Sequence, residues 1–594
     1  MMHTRSQFLS IICFATSLSC AWPTFTLVAQ ERGGLTQAPS VDGGLASLLP
    51  ASTVAYAEFS SADVLLDHPL RTTIQQSPEF LKIWRSPDVL KARGGITLAE
   101  TALGDSLENI VRKLTHGGLA LGVDSQHNGI VVIARAESAE WLQDYLERLV
   151  ELAKKNDGQA VETGEYRGVT AYKTKQAVVA TVDEYLFVSD KKELGKLIVD
   201  RYLDKATRGL SENANFAKAM AAQPTSDATT FAWGYADVQK LREAGLAKHA
   251  LNGPSDNFGA ELILGGVLET LRDTPVITAA WTVEDHATQL TFSAPHTEPI
   301  DDRREYFFGP DGQGHALPLL QSDSTLASLS AYRDVSQLWL RAGDLFNEKV
   351  NDELAQADNT LTTLFSGRDF GEEILGALQP EMRLVVERTT FAEGAPIPAI
   401  RLPGFALVTQ LREPEVMRGE LKRIFQSLIG FLNVAGAQNG QPQLDMNMET
   451  TDSGQFITAQ YVPEVDRKHN ADAPIQFNFS PSLAFVNDHA ILSSTIPLSK
   501  QLALQLAQPA TTTTRGATTA NTLLEIDIHG IQAALQDNRG QLIAQNMLEK
   551  GHSRQEAEAE IDTLLAILPL FERLAMQLGF DEQAELTIKL QIAK

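Results

Sequence analysis

The chain has 594 residues, of which 43% are hydrophobic and 21% are charged, a composition that is ordinary for folded domains. This length is too great for one hydrophobic core, so several domains are expected. The 75 Asp and Glu residues outnumber the 50 Lys and Arg residues and give a formal net charge of −25. Such an acidic chain argues against nucleic-acid binding, which needs cationic groups, and against docking on anionic lipid headgroups.

The first 29 residues have the layout of a secretory signal peptide. Arg5 precedes a mostly apolar stretch at residues 8–18, and small residues lead to a cleavage point after Ala29. The apolar stretch is too short to span a membrane comfortably, and its retention as an anchor is the alternative. We therefore expect an exported protein, periplasmic or extracellular, whose mature part begins with a disordered leader at residues 30–42.

Both cysteines of the chain, Cys13 and Cys20, lie inside this segment. Cleavage after Ala29 would leave a mature chain without cysteine, which excludes disulfides, thiolate catalysis and zinc sites with cysteine ligands. A lipoprotein anchored through Cys20 is disfavoured, because Ser17 stands where an aliphatic residue is usual. No later stretch reaches the ~20 consecutive apolar residues that a spanning helix needs, so we predict no transmembrane span in the mature chain.

An internal repeat organises the remaining chain. Residues 48–66 (LLPASTVAYAEFSSADVLL) and 319–339 (LLQSDSTLASLSAYRDVSQLW) both indicate an apolar pair, a polar turn, a strand and the start of a helix. Further strands and amphipathic helices recur in the same order, and chance similarity of unrelated segments is the alternative. We predict two diverged tandem copies of one unit, at residues 43–295 and 315–594, joined by a polar linker at residues 296–314.

The clearest repeated feature is a β-hairpin. Residues 182–189 (VDEYLFVS) and 486–493 (VNDHAILS) each place two strands around an Asp-Glu or Asn-Asp turn. Strands arrive as such hairpin-like pairs between helices, not in strict alternation with single helices. This order favours an α+β fold in which antiparallel sheets pack against helices.

Each predicted unit ends with a long apolar helix and a closing hairpin. The first helix is expected at about residues 258–271 and the second at about residues 557–578, where Pro569 would kink or interrupt it. Such helices usually form the core under a sheet; lining an apolar groove and packing the two units together are the alternatives. Residues 434–443 and 511–515 are predicted to be surface loops.

No catalytic, cofactor or metal motif is recognisable in the sequence. The twelve histidines include no i, i+4 pair of the kind found in helical zinc sites. His116 and the two glycines after it suggest an esterase oxyanion loop, but no G-x-S-x-G motif accompanies them, so we interpret them as a turn at a helix end. The DFG tripeptide at Asp369 lacks the other kinase motifs.

Adjacent carboxylates recur along the chain, and we interpret them as solvated charge, mostly at turns. Glycoside hydrolysis needs two carboxylates that face each other across a cleft, whereas neighbours in sequence usually point apart. The pairs are Asp183-Glu184, Glu284-Asp285, Asp301-Asp302, Glu372-Glu373 and Asp581-Glu582. The sequence therefore predicts no catalytic residue, no cofactor and no metal ligand.

The opening residues 48–56 (LLPASTVAY), together with residues 129–133 and 183–189, resemble a family of exported bacterial proteins with a domain of unknown function. Its members begin with LLPADT and an apolar run, and are common in planctomycete-type and cyanobacterial genomes. The resemblance covers most of the first predicted unit and, more weakly, the second, where Gln321 replaces Pro50. It implies this architecture and an exported protein, and it implies no activity.

Three classes of function are compatible with the sequence. Duplication, an acidic surface and the lack of recognisable chemistry favour a non-enzymatic binding or scaffold protein with an unknown protein partner. Grooves between curved sheets and the apolar helices would instead suit a carrier of lipid or another apolar ligand. A hydrolase of unrecognised type is the third class.

Overall fold

The computed structural model describes residues 44–85, 87–156, 161–205, 209–222, 229–243, 253–296, 302–309, 312, 314–365, 367–462, 473–508 and 520–593. The predicted signal peptide, the leader and the loop predicted at residues 511–515 lie outside these ranges. The chain divides into two compact units: unit 1 comprises residues 1–241 and 275–290, and unit 2 comprises residues 242–274 and 291–593. Unit 2 is therefore made of two separate segments of the chain. The boundaries predicted from the repeat stay predictions.

Unit 1 is built on an antiparallel sheet. Its described strands are β1 (Thr53–Phe59), β2 (Leu119–Asp124), β3 (Gly129–Arg135), β4 (Glu162–Tyr166), β5 (Val169–Lys173), β6 (Val178–Val182), β7 (Tyr185–Ser189), β8 (Thr229–Asp237) and β9 (Val276–Glu284). They are ordered β9-β8-β1-β2-β3-β7-β6-β5-β4. The helices are α1 (Asp63–Leu66), α2 (Pro69–Gln76), α3 (Pro78–Trp84), α4 (Pro87–Leu103), α5 (Leu107–Leu114), α6 (Ala139–Asn156), α7 (Lys192–Leu203), α8 (Ala214–Ala221) and α9 (Val238–Glu243).

Unit 2 also contains an antiparallel sheet. After β10 (Ala287–Pro295), which begins in unit 1, come β11 (Thr325–Tyr332), β12 (Leu378–Glu387), β13 (Gly404–Leu411), β14 (Leu444–Thr451), β15 (Gly454–Tyr461), β16 (Ser482–Val486), β17 (His489–Ser493), β18 (Ala520–Asp527), β19 (Phe571–Phe580) and β20 (Gln583–Ile592). The order is β20-β19-β18-β11-β12-β13-β17-β16-β15-β14.

The helices of unit 2 lie between these strands and in the early segment of the unit. They are α10 (Phe258–Asp273), α11 (Glu305–Phe308), α12 (Val335–Leu340), α13 (Ala342–Leu345), α14 (Glu348–Leu364), α15 (Pro414–Gln438), α16 (Ile496–Ala507), α17 (Ile528–Asp537), α18 (Arg539–Lys550) and α19 (Arg554–Ile567). A short π-helix at Phe370–Ile374 precedes β12.

The two sheets have the same strand order from β9 to β4 and from β19 to β14. Their registers also correspond: Ala57 is opposite Leu121, as Leu329 is opposite Leu384. The predicted α+β class, with antiparallel sheets packed against helices, is confirmed. The common order supports the predicted duplication, although descent from one ancestral unit stays an inference.

Both predicted hairpins are confirmed, as β6–β7 and β16–β17. The first turn residue has a positive φ in each hairpin, 49° at Asp183 and 50° at Asn487. Asp and Asn tolerate this left-handed conformation better than other non-glycine residues, and two-residue hairpin turns need it. The turn chemistry therefore sets the register of both hairpins.

One face of each sheet packs on helices, and we call it the helical face. In unit 1 its core contains Val131, Ile133 and Phe187 of the sheet with Leu194 and Ile198 of α7. In unit 2 the equivalent core contains Val408, Phe456 and Ile491 with Leu498 and Leu502 of α16. On the opposite face of the unit 2 sheet, α15 packs in one hydrophobic core with residues of β13 to β17. Leu578 and Phe580 of β19 pack on the same face in a second core, which includes Phe307 of α11 and Leu262 of α10.

The helix predicted at about residues 557–578 is wrong. The helix α19 ends at Ile567, a 3₁₀ turn contains Pro569, and the rest of the segment is strand β19. Proline removes a backbone donor and stops the helix. The apolar pattern misled the prediction because residues four apart, such as Leu574 and Leu578, share a face in a strand as well as in a helix.

The helix predicted at about residues 258–271 is present as α10, but its buried side is unexpected. Its buried residues are Glu261, Gly265, Gly266, Glu269 and Thr270. Ile263 and Leu264 are 54% and 45% exposed. The loop predicted at residues 434–443 is also partly wrong, because α15 continues to Gln438.

Candidate functional site

The sheet of unit 2 has a second, apolar face, which packs in two hydrophobic cores but has two rows of residues that belong to neither core. Two neighbouring rows of cross-strand partners define it. The first row is Ile588, Met576, Leu524, Leu329, Leu384, Leu407 and Leu492. The second is Leu590, Leu574, Ile526, Ala327, Val386 and Phe405. These residues share one side of the sheet, because side chains alternate along each strand. We call these rows the apolar face.

Three members of the apolar face are exposed to solvent. Leu384 is 36% exposed, and Phe405 and Leu492 are each 50% exposed. The other members are half-buried, and none belongs to a hydrophobic core of the described chain. Contiguous exposed apolar patches are typical of binding surfaces, so the apolar face is the candidate site.

Polar side chains of this sheet point away from the apolar rows. Arg383, Glu525, Gln577 and Lys589 alternate with members of the rows along their strands and therefore lie on the other side of the sheet, where Arg383 is buried and Gln577 is exposed. The first row crosses seven strands, a length of about 29 Å at the usual strand spacing.

Unit 1 repeats the apolar face. Its corresponding rows are Ala279, Gly234, Ala57, Leu121, Val132 and Val188, and Ile277, Ala236, Ala55, Val123 and Ile130. All these residues are half-buried, and none belongs to the two hydrophobic cores of the unit. The side chains are smaller than their counterparts in unit 2, but again none is polar.

A buried ion cluster fixes α10 within unit 2. The Arg304 guanidinium donates to Glu261 over 2.7 Å from Nε and to Glu269 over 3.3 Å from Nη1. Tyr306 donates to the backbone carbonyl of Glu261 over 2.8 Å. The three charged side chains are at most 4% exposed. The glutamate side of α10 is buried because these partners satisfy it.

Arg333 is a second buried cation of unit 2, and its partners are uncharged. It donates to the carbonyl of Leu262 over 2.6 Å, to Asn521 Oδ1 over 2.6 Å and to Thr522 Oγ1 over 2.9 Å. Burial without a carboxylate lowers its pKa to about 9. Its guanidinium lies 3.4 Å from the centre of the Phe307 ring. These contacts give Arg333 a structural role between α10 and the sheet.

The residues that resembled catalytic motifs lie apart and have local roles. His116 is exposed in the turn after α5, as predicted. Asp369, of the DFG tripeptide, caps the π-helix by accepting from the Glu372 amide over 2.7 Å. In the hairpin turn of unit 1, Asp183 accepts from the Tyr202 hydroxyl over 2.6 Å.

A metal site and a membrane-spanning helix are two further possibilities for the described residues. No group of three or more His, Cys, Asp or Glu side chains in the described part is placed to hold a metal ion. None of the described helices has the length and apolar character needed to cross a bilayer.

Comparison with known proteins gives little. No family model and no curated protein matches the chain. Three crystal forms of TP0453 are similar over part of the chain: form III is 12% identical, covering 48% of this chain and 91% of TP0453, with a TM-score of 0.25. Form IV is 13% identical, covering 42% and 79%. Form I is 12% identical, covering 44% and 82%, and the TM-score is 0.24 for both of these forms.

The sequence indicates the apolar face only weakly, as the alternating residues of β18 illustrate. Leu524 and Ile526 lie on the open side, and Glu525 lies on the helical face. The available signal was weak: in both sheets the helical face is largely apolar too, so most strands look like buried strands.

Proposed function

We propose that this chain is a non-enzymatic binding protein for extended apolar ligands, such as acyl chains, which lie along the apolar faces of its sheets. The observation that carries the proposal is the apolar face of unit 2, two rows without a polar side chain and open at Leu384, Phe405 and Leu492. Contact between these apolar side chains and water is unfavourable. Completing the burial of these three side chains would contribute roughly 2–4 kcal/mol.

The same face argues for an apolar ligand over a protein partner. Protein interfaces carry about one hydrogen bond per 100–200 Å² and a polar rim. The apolar rows offer no side-chain donor or acceptor, and their backbone groups are used within the sheet. A row of about 29 Å is longer than the ~15 Å that acyl chains of one leaflet span. A flexible hydrocarbon chain needs neither polar partners nor a fixed register.

The compartment and the partners belong to the same proposal. An exported protein, periplasmic or extracellular, fits a carrier of apolar molecules through an aqueous space, and this rests on the signal peptide expected in residues 1–29. The acidic composition disfavours nucleic acid as a partner. A scaffold for another protein and a hydrolase of unrecognised type are the outcomes against which the proposal is tested.

Native mass spectrometry with organic extraction tests the proposal directly. We expect the purified mature chain to carry an extractable apolar ligand and, after delipidation, to bind a fluorescent fatty-acid analogue. Leu492→Lys places a charge on the open face and should weaken this binding at least about tenfold. Leu548→Lys is the matched control, since Leu548 is 86% exposed on α18, outside the apolar face.

Three results would count against this function. The absence of both extracted ligand and probe binding would favour the scaffold. Equal loss of binding in both variants would mean that the probe does not use the apolar face. Turnover of an ester, glycoside or peptide substrate that a single point mutation abolishes would favour the hydrolase.

A further inference from the structure

Arg383 is a buried cation without a partner. It lies in β12 on the helical face of unit 2 and is 7% exposed. Among the described residues it has no hydrogen bond and no ion pair, whereas Arg304 has two carboxylates and Arg333 has carbonyl, amide and hydroxyl oxygens. Burial lowers the pKa of Arg383 to about 10. Its guanidinium nitrogens are not among the fully enclosed side-chain atoms, so the largely buried group keeps some contact with solvent. A largely buried charge without a partner is unfavourable, so this arrangement needs an explanation.

Further polar groups around Arg383 also lack partners. Ser330 is directly opposite Arg383, and Ser328 lies two residues further along β11 on the same face. The two serines are 0% and 1% exposed, and neither hydroxyl oxygen has a hydrogen-bonding partner in the described chain. The Nδ1 atom of His489, on β17, is likewise buried and unpaired. His489 is on the helical face, two residues along β17 from Ile491, and Ile491 is opposite Val408, which is itself opposite Arg383. Burial and the positive charge of Arg383 lower the pKa of His489.

The carboxylates on this face are engaged elsewhere. Glu387 accepts from the hydroxyls of Ser322 and Ser324. Glu525 forms an ion pair with Arg573 over 2.6 Å. Neither contributes a charge interaction to Arg383. Among the described residues, the positive charge of Arg383 therefore has no carboxylate partner.

The corresponding positions in unit 1 contain no cation. In the corresponding register, Ala120 stands at the position of Arg383, and Tyr56 and Glu58 stand at the positions of Ser328 and Ser330. The Tyr56 hydroxyl donates to Glu58 over 2.5 Å. Its ring packs against aromatic side chains of the unit 1 core. Unit 2 has small hydroxyl residues and a cation where unit 1 has a tyrosine and a self-contained hydrogen bond.

We propose that Arg383, Ser328, Ser330 and His489 form a buried site for a small oxyanion, a carboxylate or a phosphate. The planar guanidinium presents a fork of donors that matches two oxygens of such an anion. The serine hydroxyls can donate to the same oxygens, and the imidazole supplies a further donor in its Nδ1–H form. The site is on the helical face, so it is independent of the apolar-ligand function proposed above.

Calorimetric titration with inorganic phosphate and with acetate, each against chloride at equal ionic strength, tests the site. We expect the full mature chain to bind one of the two anions saturably, and the stronger binder identifies the class. Arg383→Met should weaken this binding at least about tenfold. Arg539→Met is the matched control and should bind as the unmodified chain does, because Arg539 pairs with Asp562 on the surface.

Thermal unfolding supplies a second measurement with a distinctive expectation. In buffer without these anions, Arg383→Met should unfold at the same or a higher temperature than the unmodified chain, because it removes an unpaired buried charge. The favoured anion should raise the unfolding temperature of the unmodified chain and leave that of Arg383→Met unchanged.

The proposal is overturned if neither anion binds saturably, or if the anion stabilises Arg383→Met as much as the unmodified chain. Should Arg383→Met fail to fold, the double variant Ser328→Ala/Ser330→Ala replaces it. We expect weaker anion binding in the double variant, and unchanged affinity there would equally overturn the site.

Discussion

Removing the Arg304 guanidinium should destabilise unit 2 more than any surface substitution. Arg304→Met keeps much of the volume of the side chain but leaves the carboxylate of Glu261, which is 0% exposed, without its cationic partner. Glu269 loses its contact with Arg304 and keeps Arg272, at 2.7 Å. Breaking a buried pair by removing one partner costs about 3–5 kcal/mol, because a charge is left behind without compensation.

The size of the effect can be followed by calorimetry and by urea unfolding. Unit 2 has roughly 340 residues, for which the entropy of unfolding is about 0.7 kcal/mol/K. A loss of about 3–5 kcal/mol therefore corresponds to a fall of about 4–7 °C in the Tm of the unit. The transition of unit 1 is expected to stay in place.

Arg554→Met is the control for this experiment. Arg554 pairs with Glu558 on α19, but its side chain is 79% exposed, so its loss should cost less than about 1 kcal/mol. A loss below about 1 kcal/mol for Arg304→Met as well would refute the reasoning. It would mean that water or a rearranged neighbour compensates Glu261 once the arginine is gone.

Further predictions concern one helix contact, one cap and one titration. Gly266→Ala should destabilise the fold by about 1–3 kcal/mol, because the added methyl group would collide with the Phe307 ring. Gly430 is exposed in α15, so Gly430→Ala should instead stabilise the fold by about 0.5–1 kcal/mol. Urea unfolding of the two variants tests both values. Ser553→Ala removes the capping box of α19 and should cost about 0.5–2 kcal/mol in the same assay. The pKa of His489 is lowered in the fold, so its contribution to the unfolding free energy is present above its unfolded pKa of ~6.5 and is lost as the pH falls. His489→Gln should therefore flatten the decline of the unfolding free energy between about pH 7 and about pH 5. An unchanged decline would contradict this.

The hairpins could be predicted from the sequence because their information is local. Asp183-Glu184 and Asn487-Asp488 are turn residues set between short β-branched and apolar stretches, and the left-handed turn residue needs no tertiary contact to be recognised. The α+β class followed from the order of such pairs. Only a comparison of whole segments could indicate that the two sheets share an order, and the register correspondence required the structure.

Features that depend on what covers a surface could not be predicted. The buried glutamate side of α10 depends on Arg304, which is 35 residues further along the chain than Glu269. The apolar face has the same residue types as a core, so alternation alone cannot indicate that it is open. Arg383 could not be recognised as unusual from the sequence, because an arginine in a strand usually points to solvent, and its burial at 7% exposure depends on tertiary packing.

The strongest support for a function of the apolar face is that both units have it. If the units descend from one ancestor, as their common strand order leads us to infer, their helical faces have diverged at the level of chemistry: Tyr56 and Ala120 correspond to Ser328 and Arg383. The apolar rows have not. Every counterpart in them is an apolar residue or glycine, although solvent would tolerate polar substitutions on an open sheet.

Two sheets that had no use for this surface would be expected to acquire charges on it independently, since exposed apolar residues promote aggregation and contribute little to stability. This outcome is expected if, as proposed above, a ligand covers the face while the protein functions. A charge introduced in unit 1, as Val132→Lys, should therefore reduce apolar-probe binding as Leu492→Lys does in unit 2, since both positions lie in the corresponding row. Full probe binding by Val132→Lys would restrict the function to unit 2 and would remove the argument from correspondence.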